Sequence, residues 1–110
     1  MKNDSKAING IMREWRGTVA KENADDYEKV LRATGLAEYA SVPGNRGVWL
    51  LRADFGELTE FTTLTLWDSN DAIREFAGDP IQRARYYPED EGYLVDRPEF
   101  VRHYAVRWTG

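Results

Sequence analysis

The stretch LTLWDSNDAIREF, Leu64 to Phe76, starts with the alternation of a strand and ends with the spacing of a helix. Upstream of its joint, Phe61, Thr63, Thr65 and Trp67 share one face, and Glu60, Thr62, Leu64 and Leu66 share the other. Threonine and leucine suit a pleated, covered surface, so this strand is expected at the centre of a sheet. After Trp67 the signals change. Asp68 or Ser69 can cap a helix, and acids fill the first turn, where the helix dipole favours them. Ala72, Ile73, Phe76 and Ala77 then recur at helical spacing before Gly78. A strand passing into a helix through one tryptophan poses a choice: Trp67 touches a ligand, or it seals a corner of the core.

Upstream, IMREWRGTV (Ile11–Val19) alternates and reads as a first strand, with Ile11, Arg13, Trp15, Gly17 and Val19 on one side. NADDYEKVLRATG follows as a helix, with Asn23 as cap, Ala24, Tyr27, Val30, Leu31 and Thr34 as the apolar stripe, and Gly35 as the stop. SVPGNRG supplies the proline and glycine of a type II turn. GVWLLRAD is a second strand, joined by a hairpin at DFGEL to the third. Downstream, DPIQRARYYP is expected as a short helix, with Asp79 as cap and Pro80 in its first position. PED then starts a further helical turn. EFVRHYAVRW is a last strand, with Val101, His103, Ala105 and Arg107 on one side and Arg102, Tyr104, Val106 and Trp108 on the other; which side faces inward is open.

The order is β-α-β-β-α-β. Right-handed crossovers fold it into an α+β, ferredoxin-like domain: a four-stranded antiparallel sheet with both helices on one face. The 110 residues suit one domain, expected over 8–110, with a polar and flexible segment at 1–7. The other sheet face would expose residues such as Leu64 and Leu66. Leaving a few hundred Å² of apolar surface in water forgoes several kcal/mol at about 25 cal/mol per Å². A homodimer closed through that face is the expected remedy.

A net charge of −4 with scattered bases, as in KENADDYEK, argues against nucleic acid as a partner. The chain has no cysteine, no secretory leader pattern and no membrane-length apolar run, which reads as cytoplasmic. No phosphate-binding loop, nucleophile elbow or metal-ligand spacing occurs, and His103 is the single histidine, so no cofactor or metal is expected. What remains is aromatic. Trp15, Trp49, Trp67, Tyr86 and Tyr87 fall on elements that border the space between sheet and helices, a pocket suited to a flat ligand.

The run EFTTLTLWDSNDAIREFAGDPIQRARYYPED, with WRGTV, PGNRG and VRHYAV, resembles the antibiotic biosynthesis monooxygenase family of dimeric α+β barrels. The likeness covers about residues 11 to 107. Heme-degrading members of that family use a first-strand asparagine, a tryptophan ending the third strand and a helix histidine. Trp67 matches the tryptophan, but Trp15 stands at the asparagine position and Phe76 or Ala77 at the histidine position, so heme degradation is not implied. The polyketide-oxidising branch uses neither metal nor flavin: it takes a proton from a phenol-type substrate, whose carbanion reduces O2. There an asparagine lies four residues before the tryptophan; here it is Thr63.

The resemblance thus implies a cofactor-independent monooxygenase acting on a small polyketide- or quinol-like aromatic. His103, Trp67 and Tyr86 are the candidate catalytic residues. Arg13, Trp15, Trp49, Thr63, Phe76 and Tyr87 are the candidate substrate-binding residues, Arg13 to anchor an anionic or phenolate group. A cyclase or isomerase on the same fold, and a non-catalytic ligand-binding or stress-related dimer, stand as alternatives.

Overall fold

The computed structural model describes residues 10–110, and the expectation of a flexible segment at 1–7 lies outside them. Three long strands form the body of one antiparallel sheet: β1 (Ile11–Ala20), β2 (Asn45–Phe55) and β3 (Leu58–Trp67). The spatial order is β2-β3-β1, and two short strands, β4 (Leu94–Asp96) and β5 (Arg102–Ala105), both pair with the free edge of β1. β1 and β3 are therefore central, which the threonine-rich alternation predicts for β3. Thr59, Phe61, Thr63, Thr65 and Trp67 point to the covered face, and in the paired register so do Arg13, Trp15, Gly17 and Val19.

The fourth position in the sheet, expected as one continuous strand over EFVRHYAVRW, is split. Pro98 cannot donate to a ladder. The chain there leaves β1 and pairs with 82–84 instead: Val101 N–H donates to Gln82 O at 2.7 Å and Ala84 N–H to Glu99 O at 2.9 Å. The same bonds explain why DPIQRARYYP is not the expected helix. After a turn in which Arg83 N–H donates to Pro80 O at 3.1 Å, its backbone from 82 to 84 is held against 99–101, with Arg83 bridging Phe100. PED does form a single 3-10 turn, Pro88–Asp90.

The first helix also departs from expectation. Asn23 makes no side-chain cap, and Gly35 does not stop the helix. α1 (Ala24–Leu31) passes through a π-helical turn, Arg32–Leu36, into α2 (Ala37–Ser41). Glycine costs a helix interior only about 1 kcal/mol, and tertiary packing overrides that. α3 (Asn70–Ala77) follows its signals: the Ser69 side chain accepts from Ala72 N–H at 3.1 Å, and Ile73 and Phe76 are buried. The turn before β2 needs glycine at Gly44, where φ is +93° and an added Cβ would strike the Ala72 side chain.

All three helices cover one face. Trp15, Val19, Tyr27, Leu31, Phe61 and Val101 form one core cluster, and Tyr39, Trp67, Ile73, Phe76 and Ile81 a second; Leu36 packs against both. On the opposite face stand Trp49, Leu51, Phe55, Leu58 and Tyr104, all exposed. Among the described residues no helix is long and apolar enough to cross a membrane.

Candidate functional site

At the seam of the two clusters a small cavity opens between the π turn and the sheet, lined by Trp15, Tyr27, Leu31, Tyr39, Thr63 and Tyr87, with Thr34, Gly35, Arg85 and Asp90 at its sides. Its free interior is about 20 Å³, room for one water, while the cleft with its open mouth encloses about 310 Å³. Gly17 shapes one wall. A Cβ there would collide with the Trp15 ring, so the glycine lets the indole lie against β1. Trp15 Nε1 donates to the Tyr86 hydroxyl at 3.4 Å, and the Tyr86 hydroxyl donates to Pro98 O.

The polar groups of this cavity are held by one another. Tyr39 and Thr63 share a hydroxyl contact of 3.4 Å. The Tyr87 hydroxyl donates to Glu38 Oε1 at 2.7 Å, and Arg85 Nη1 donates to Glu38 Oε2 at 2.7 Å. Burial, then the bond to Glu38, pushes the Tyr87 phenol pKa up. Burial raises that of Tyr39. Tyr27 donates to Asp90 Oδ1 at 2.8 Å, and the backbone N–H of Tyr87 donates to Asp90 Oδ2, so both oxygens of this buried carboxylate are engaged.

Of the nine residues singled out in the sequence, Trp15, Thr63 and Tyr87 line this cavity. Trp67 does not. It is fully buried, its Nε1 donates to Thr65 Oγ1 at 2.7 Å, and its ring packs on Tyr39 and Phe76. Phe76 lies behind it, flanked by the guanidinium groups of Arg13 and Arg85 at 5.4 and 5.1 Å. Tyr86 braces Trp15 from outside the cavity lining.

Trp49, expected at the pocket, stands on the opposite face. It pairs with Leu64, and residues directly opposite in a ladder share a side. Val48 to Leu51 are apolar on both faces of β2, and the register shift between Asn45 and Gly47 sets the parity, so alternation alone could not orient it.

Arg13 is 2% exposed and meets no carboxylate among the described residues. His103 pairs with Arg13 across β1 and β5, so its strand presents the Val101–His103–Ala105 side inward. Burial, then the Arg13 charge, lowers the imidazole pKa to about 4. The ring is neutral at pH 7 and a weak base. It does not reach the cavity lining. Among the described residues no cluster of histidine and carboxylates is placed to hold a metal ion.

This arrangement sits on a sheet-and-helix frame seen in solved proteins. The chain superposes on PA3566 from Pseudomonas aeruginosa with a TM-score of 0.62 at 17% identity, covering 93% of this chain and 96% of that one. It superposes on a proposed antibiotic biosynthesis monooxygenase from Bacillus cereus with a TM-score of 0.60 at 14% identity, covering 94% and 97%. The fold is antibiotic biosynthesis monooxygenase-like. At such identities the likeness is one of fold. No family model and no curated protein matches the sequence.

Within this shared fold, Glu38, Tyr39, Arg85 and Asp90 are site residues that the sequence did not announce. Only for Tyr39 was a signal present. Tyr27, Leu31, Gly35 and Tyr39 recur every four residues. At 3.6 residues per turn such a row over-rotates by about 40° each step, but the wider π turn takes rotation back and returns Tyr39 to the sheet side. Glu38 and Arg85 meet across 47 residues, and no local pattern announces such a pair.

Proposed function

We propose that the protein binds a small phenol-type aromatic in the cleft beneath the π turn and oxidises it with O2 without a metal or flavin, working in the cytoplasm. The observation that carries this reading is the cavity: aromatic walls from Trp15, Tyr39 and Tyr87, a hydroxyl at Thr63, and a Tyr87–Glu38 hydrogen bond at its side. The monooxygenase-like fold adds support. The flat ring of the ligand lies between Trp15 and the two tyrosines, and swinging Tyr87 outward widens the mouth. Tyr87 takes the substrate proton as its own phenol proton passes to Glu38. The resulting carbanion reduces O2. For an anthrone-type CH2, four electrons leave the ring; one oxygen becomes the new carbonyl and the other departs as water.

Oxygen uptake with a panel of anthrones and dihydroxynaphthalenes tests this. Uptake matched to quinone formation, and lost in Tyr87→Phe, is the expected result. Product formed without oxygen uptake would point to a cyclase or isomerase instead. Binding with no turnover would leave a ligand-binding dimer.

The assembly belongs to the same proposal. Trp49, Leu51, Phe55, Leu58 and Tyr104 form one exposed apolar field on the uncovered sheet face. A second copy of the chain covers it, closing the pair about a two-fold axis.

A further inference from the structure

The covered layer of this fold holds a charge that nothing among the described residues balances. Arg13 is 2% exposed, and a cation buried that deeply is costly unless an anion and a full set of hydrogen bonds compensate it. Its partners are all neutral. Nη2 donates to the Arg83 carbonyl at 3.0 Å, and the guanidinium lies 5.4 Å from the centre of the Phe76 ring. Nε is buried and has no hydrogen-bond partner. The other deeply buried charge, Asp90, is engaged by Tyr27 and the Tyr87 backbone. Beside Arg13 in the ladder stands His103, whose Nε2 is also buried and unpartnered. Two basic side chains therefore sit together with no acid between them.

The position of Arg13 relates this imbalance to the cavity. Arg13 is not itself in the lining; it stands one step behind it, two residues before Trp15 on the same face of β1. Its strand neighbour Trp15 and the facing Thr63 line the cavity.

We propose that the ligand of this cleft is an aromatic anion, a small arene bearing a carboxylate, whose negative group is received by Arg13. This deepens the reading of the cleft as a ligand site and rests on it. A carboxylate beside Nε would supply the missing acceptor and the missing counter-charge at once, and its planar geometry matches the guanidinium fork. The arene then lies along Trp15 and Tyr39, where the walls are aromatic.

A matched pair of probes tests the charge alone: 1-naphthoate against 1-naphthamide, titrated into the full-length protein at pH 7.5 and followed by tryptophan fluorescence and thermal shift. The expected result is about ten-fold or more tighter binding of the acid, and a rise in melting temperature for the acid alone. Arg13→Met, which keeps the packing volume and removes the charge, abolishes that preference while melting at or above the wild-type temperature without ligand. Equal affinity for acid and amide in the wild-type protein overturns the proposal, and so does a preference that survives in Arg13→Met. The wild-type comparison stands even if the variant does not fold. Acid binding that depends on Arg13, without oxygen uptake on any substrate, would remove the oxygenase reading and leave the anion site. Turnover of a neutral phenol, unchanged in Arg13→Met, would do the reverse.

Discussion

Trp67 ends β3 with its ring fully buried against Tyr39 and Phe76 and its indole N–H on Thr65. Every polar and apolar surface of this side chain is taken by the protein, so the tryptophan at the strand–helix joint seals the core corner. Trp67→Phe is expected to lower stability by about 1–3 kcal/mol, from lost volume and the lost hydrogen bond to Thr65, read as a shift in the urea midpoint. Affinity for a dihydroxynaphthalene should stay unchanged; a large loss of affinity in a folded variant would return Trp67 to the site. His103 makes a second prediction at this scale. Its pKa falls from 6.5 in the unfolded chain to about 4 in the fold, through burial and then the Arg13 charge. Between those values the unfolded state binds more protons, so the contribution is complete above pH 6.5 and is lost as pH falls to about 4. Urea midpoints taken across that window should show more acid destabilisation in the wild type than in His103→Gln, by about 1–2 kcal/mol once solvent screening of the half-buried ring is allowed for.

The π turn is the element that makes the cavity. It widens the helix over Trp15 and Thr63, and it carries Gly35, which is buried and lines the space. A Cβ at Gly35 would meet Tyr39 at 3.7 Å and Tyr87 at 3.8 Å, ordinary contact distances, so alanine fits without strain. Gly35→Ala should therefore raise stability by about 0.5–1 kcal/mol, because glycine loses the most chain entropy on folding. The same methyl occupies ligand space. A higher melting temperature with weaker ligand binding is the expected pair of outcomes. Weaker binding with lower stability would mean that the π turn itself had been disrupted.

The whole molecule presents two sheet faces of opposite fate. One carries the helices, both core clusters and the cleft; the other leaves five large apolar or aromatic side chains in solvent. Edge and face exposure on this scale favours self-association over a lone chain. Sedimentation of the wild type at twice the chain mass is expected. The double substitution Leu51→Lys with Phe55→Lys should give the single-chain mass with the fold retained, since both side chains already stand in solvent. A wild type that sediments as one chain would remove the dimer.

Alternation in β1 and β3, the Ser69 cap, the Pro43–Gly44 turn and the stripe of α3 were readable because each depends on neighbours within a few residues. They were enough for the α+β order and for the inward side of Thr63 and Trp67; β1 is mixed on both sides, and its register with β3 turns Arg13 and Trp15 inward. Elsewhere distant pairing overrode local preference. The 82–84 segment gave up a helix because 99–101 claimed its backbone groups, and the helix ran through Gly35 because packing on the sheet outweighed one glycine. The side of Trp49 and of His103 depended on ladder register, which a strand apolar or polar on both faces does not encode. The cavity had the weakest local signature of all: Glu38 lies far along the chain from Arg85 and Asp90, and only the folded backbone brings their charges to one place.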